Sequence, residues 1–62
     1  MTNYYNSPIV AQTIIRKAYD FEVEAIRTDS TEPNPWKAKV LALKDGEAIW
    51  EAINEALEMA HI

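Results

Sequence analysis

The sequence predicts a compact two-layer α+β domain in the order helix, strand, strand, helix, with the strands forming an antiparallel pair. Three observations carry that expectation: helical apolar spacing at both ends of the chain, two segments of alternating character in the middle, and a turn-rich stretch between them.

Ser7-Pro8 offers the first helix start, since serine caps an exposed backbone N–H and proline at the first helical position loses no useful donor. Ala11, Ile14, Ile15 and Ala18 follow at helical spacing, which predicts a helix from about Pro8 to Ala18. A strand over Ile9 to Ile15 competes with it, because Ile9, Val10, Thr13, Ile14 and Ile15 are β-branched. Residues 1–6 read as a polar and aromatic lead-in.

Tyr19, Phe21, Val23 and Ala25 alternate with Asp20, Glu22 and Glu24, the pattern of a strand with one apolar and one acidic face. Residues 28–35 contain two prolines among other turn formers and read as the inter-strand loop. Trp36 to Lys44 reads as the second strand, with Trp36, Ala38, Val40 and Ala42 on one face and Lys37, Lys39, Leu41 and Leu43 on the other. Gly46 to His61 is predicted as the closing helix. Asp45 stands at its cap, and a broad apolar stripe runs through Ala48, Ile49, Ala52, Ile53, Ala56, Leu57 and Ala60.

A chain of 62 residues has room for one small domain, spanning 1–62, and without cysteine it has no disulfide or thiolate metal site to reinforce it. Size scaling gives about 6,000 Å² buried on folding; hydrophobic burial of about 90 kcal/mol then meets about 90 kcal/mol of ordering entropy. A monomer of this size is marginal, so a homo-oligomer or capture by a larger protein is expected.

Ten acidic and six basic residues give a formal charge of −4. That balance opposes general phosphate-backbone contact, so direct nucleic-acid binding is not the expectation. No apolar run approaches the length of a membrane span and no basic-then-apolar leader opens the chain, so a cytoplasmic protein without membrane contact is expected.

Catalytic material is sparse. His61, the single histidine, has Glu58 three residues before it, which supplies two ligands where a metal needs more. Gly46 is the only glycine, so no phosphate-cradling loop exists, and the serines lack the context of an activated nucleophile. No catalytic, cofactor or metal site is expected, and the chain reads as non-enzymatic.

The charged and aromatic residues instead suggest protein recognition. Asp20, Glu22 and Glu24 form one acidic set. Glu47, Glu51, Glu55 and Glu58 form another, rising along the last helix in steps of about 4.5–6 Å, near the roughly 7 Å between phosphates of a nucleic-acid strand. Trp36, following Pro35, is the candidate apolar anchor for a partner with a basic surface. The function expected is a protein-binding module, in one version a small acidic inhibitor or adaptor acting on a nucleic-acid-processing protein. A structural homo-oligomer is the alternative. Single-stranded nucleic-acid binding through Tyr4, Tyr5 and Trp36, beside Lys37 and Lys39, is a third reading.

Overall fold

A computed structural model describes residues 8–60 and shows three helices. These are α1 (Pro8–Thr28), α2 (Lys37–Leu41) and α3 (Gly46–Ala60). The predicted α+β architecture is therefore wrong: no strand occurs among the described residues, and the alpha-beta class gives way to an all-helical fold.

Both predicted strands are helical for identifiable reasons. The first helix begins at Pro8 as expected but runs past Ala18 to Thr28, because no Gly or further Pro interrupts those 21 residues. Within it, Ile14 and Ala18 are buried four residues apart, while the alternation from Tyr19 to Ala25 winds around the helix and builds no flat face. Glu, Ala, Ile and Arg all propagate a helix once it has nucleated. The second predicted strand contains Lys37-Ala-Lys-Val-Leu41, in which only Val40 is β-branched, and it forms α2. Two strands with no third partner also make a poor sheet, whereas each helix satisfies its own backbone.

The end of α1 is built by a Schellman motif. Ser30 N–H donates to the Ala25 carbonyl at 2.8 Å and Asp29 N–H to that of Ile26 at 3.3 Å, while Asp29 takes φ 53°. Thr13 and Thr28 sit inside the helix by donating their hydroxyls to Ile9 and Glu24 carbonyls, at 2.9 and 2.8 Å.

The connection then folds back along α1, held by Asn34. Its Nδ2 donates to the Ala18 carbonyl and to Glu22 Oε1, each at 3.0 Å. Its Oδ1 accepts from Trp36 N–H at 2.9 Å, and its own carbonyl accepts from Lys37 N–H at 3.2 Å, which starts α2. One side chain thus fixes both where the connection lies and where the next helix begins.

Six residues form the buried core: Ile14 and Ala18 from α1, Val40 from α2, Leu43 from the link, and Ile53 and Leu57 from α3. Trp36, Trp50, Ile49 and Tyr19 are among the half-buried residues that pack around it. Between α2 and α3 the chain turns sharply at Asp45, with φ 58°, and Gly46 is buried against the backbone of α2. A Cβ at Gly46 would collide with the Val40 carbonyl oxygen and stand 2.7 Å from the Leu41 carbonyl group. Glycine is required there by close approach, not by its dihedral freedom.

The predicted lead-in over residues 1–6, the Ser7 cap, Tyr4, Tyr5 and His61 lie outside the described residues.

Candidate functional site

Converting the first predicted strand to helix breaks up its acidic face. Residues two apart on a helix project about 200° from each other, so Glu22 does not share a face with Asp20 and Glu24. Asp20 and Glu24 are exposed along α1, whereas Glu22 is half-buried and engaged with Asn34. Asp20, Glu22 and Glu24 therefore form no common recognition edge. Glu24 instead lines a small depression of about 150 Å³ with Phe21, Ala25, Thr28, Ser30 and Glu32, where the connection crosses the end of α1.

The second acidic set holds together. Glu47, Glu51, Glu55 and Glu58 are all exposed on α3, a helix of 15 residues with no Lys or Arg in it. The opposite side of α3 is committed to the core through Gly46, Ile53 and Leu57, so the glutamates face away from the fold. Beside this row lie exposed Ala48, Ala52, Ala56 and Met59.

At the start of the row, the corner between α2 and α3 is an open depression of about 510 Å³. Leu41, 40% exposed, and Ala48 give it an apolar side, while Asp45, Glu47 and Glu51 supply carboxylates. A lysine or arginine fits that division chemically, since its aliphatic stem lies on apolar surface and its charged head meets the acids.

Trp36 is positioned differently from a free anchor. It is half-buried against the core, and the ammonium groups of Lys39 and Lys17 lie 4.6 and 5.5 Å from its ring centroid. Lys37 lies 5.5 Å from the centroid of Trp50. Among the described residues these three pairs engage three of the exposed lysines. Each contributes about 0.5–1 kcal/mol at an exposed position.

These pairs tie the helices together: Lys17 of α1 and Lys39 of α2 lie over Trp36, and Lys37 of α2 lies over Trp50 of α3. Lys17 is the residue that sequence reasoning did not connect with Trp36. No spacing rule relates Lys17 to Trp36, because the connection held by Asn34 brings them together. Asn34 itself was legible only as a turn former.

Among the described residues no group of three His, Cys, Asp or Glu side chains is arranged to hold a metal, and no helix is long and apolar enough to cross a membrane. Compared with known protein families, curated proteins and solved structures, the chain matches none.

Proposed function

We propose that the protein is a non-enzymatic binding module that presents the exposed acidic side of α3 to a protein partner with a basic surface. The observation that carries this reading is the α2–α3 corner, where Leu41 and Ala48 stand beside Asp45, Glu47 and Glu51. A partner's Lys or Arg seats there by stem and head together, and Glu55 and Glu58 extend the same charge along the helix. A small acidic inhibitor of a nucleic-acid-processing protein is the concrete version, because such a protein has a cationic channel that the glutamate row would fill. Self-pairing through this side of α3 is disfavoured, since it would bring two cation-free glutamate rows together.

The test is native mass spectrometry of untagged protein recovered under mild conditions from its source lysate, beside the Glu47→Lys/Glu51→Lys variant. The reading expects a reproducible heteromer with a nucleic-acid-processing protein that the charge reversal abolishes. A homo-oligomer without any foreign subunit, unchanged by the reversal, would replace it with structural self-assembly.

A further inference from the structure

The exposed side of α3 divides into two parallel bands. At about 100° per residue, Glu47, Glu51, Glu55 and Glu58 fall within a sector of about 80°. Ala48, Ala52, Ala56 and Met59 fill the adjacent sector of about 80°, and the buried Ile53 and Leu57 lie beyond it. Every residue of the second band is exposed, Met59 to 79%. Leu41, 40% exposed, joins the band beside Ala48 at the α2–α3 corner. A helix already anchored to its own core thus keeps a second apolar face, with carboxylates along one edge.

We infer that this face docks an amphipathic helix of the partner, which sets small and aliphatic residues on Ala48, Ala52 and Ala56 and lysines or arginines beside the glutamates. The inference rests on the reading of α3 as the partner-binding element and names the form the partner takes there. Two features select a helix. The three alanines stand four residues apart and form one ridge with nothing beyond Cβ, so a second helix can approach to the short end of the usual range of about 8–10 Å between axes. The carboxylates advance by four, four and three residues, the same steps that place residues on one face of another helix. Same-side residues of an extended strand recur at about 6.7 Å, so three steps reach about 20 Å where Glu47 to Glu58 spans about 16.5 Å. The charge of the row requires the occupant to be basic, and the apolar band beside it requires more than charge.

The full untagged chain is titrated calorimetrically with a helix-forming peptide as long as α3, carrying leucine and alanine on one face and lysines along one flank, and with a scrambled peptide of the same composition. The amphipathic peptide is expected to bind at least about tenfold tighter, with a gain of helical circular dichroism on mixing. Ala52→Gln adds bulk to the ridge while keeping charge and helix propensity, and should weaken binding by about tenfold. Asn54→Gln, exposed on the far side of the glutamates from the band, should leave the affinity unchanged.

Equal affinity for the scrambled peptide overturns helix docking and leaves recognition of a basic partner standing. Undiminished binding by Ala52→Gln overturns helix docking too, as does an equal loss in Asn54→Gln. Failure of both peptides to bind at low salt overturns helix docking together with the acidic recognition on which it rests.

Discussion

The side-chain amide of Asn34 donates to the carbonyl of Ala18 across sixteen residues of chain, at 3.0 Å, on a helix that already satisfies its own backbone. The same nitrogen serves Glu22 and the amide oxygen takes Trp36 N–H, so one residue ties the α1–α2 connection at both of its sides. Replacing Asn34 with Ala removes these bonds from a half-buried position and is expected to cost about 1–2 kcal/mol in urea unfolding. Asn34→Asp should cost more, because a carboxylate would face the Ala18 carbonyl and Glu22. Equal stability of Asn34→Ala and the parent would show that the connection is held by other contacts.

Gly46 provides a test in which local and tertiary effects have opposite signs. In an open helix, Gly→Ala stabilises by about 1 kcal/mol. At this position the new Cβ meets the backbone of Val40 and Leu41, which cannot swing away as a side chain would. Gly46→Ala is therefore expected to destabilise by about 1–3 kcal/mol. Asn54→Ala on the exposed side of α3 should instead stabilise by a few tenths of a kcal/mol. Thermal melts of the two variants give the comparison, and matching shifts would refute the close approach.

Asp29 adopts a left-handed conformation that costs an L-residue about 1–2 kcal/mol, with Gly the usual occupant of this place in the motif. Asp29→Gly is expected to stabilise by about 0.5–1 kcal/mol after allowing for the greater freedom of glycine in the unfolded chain. Asn should fall between the two. Loss of stability in Asp29→Gly, measured by chemical unfolding, would count against a Schellman stop at the end of α1.

Leu57 and Met59 differ by only two positions but belong to different environments. Leu57 is 6% exposed in a six-residue core, whereas Met59 is 79% exposed. Leu57→Ala should cost about 2–4 kcal/mol, enough to unfold much of so small a domain, while Met59→Ala should stay within about 0.5 kcal/mol. Far-ultraviolet circular dichroism followed through a urea titration separates the two, and equal midpoints would place both side chains in the same environment.

The sequence made α3 legible because its apolar stripe was long, regular and preceded by Asp45-Gly46. Its core face is narrower than the stripe: Ile53 and Leu57 are buried and Ile49 half-buried, whereas Ala48, Ala52, Ala56 and Ala60 are exposed beside the glutamates. Tyr19 to Ala25 misled because alternation is a weak guide when nothing separates it from the helix before it. The missing signal was negative, the absence of any breaker between Ala18 and Thr28. Trp36 to Lys44 misled through alternation of side-chain type although Ala, Lys and Leu favour helix. The lysine–tryptophan pairs were only partly visible, since Trp36 and Lys39 are close in sequence whereas Lys17 over Trp36 and Lys37 over Trp50 meet through tertiary packing.

Helix α2 packs more extensively against α1 and α3 than those two pack against each other, although it has five residues. A segment that short has no independent helical stability. The two long helices are thus joined through an element that exists only while both are in place, which leaves little room for a half-docked state. Backbone amides in the middle of α1 and of α3 should therefore report one common opening free energy in hydrogen exchange, that of the whole domain.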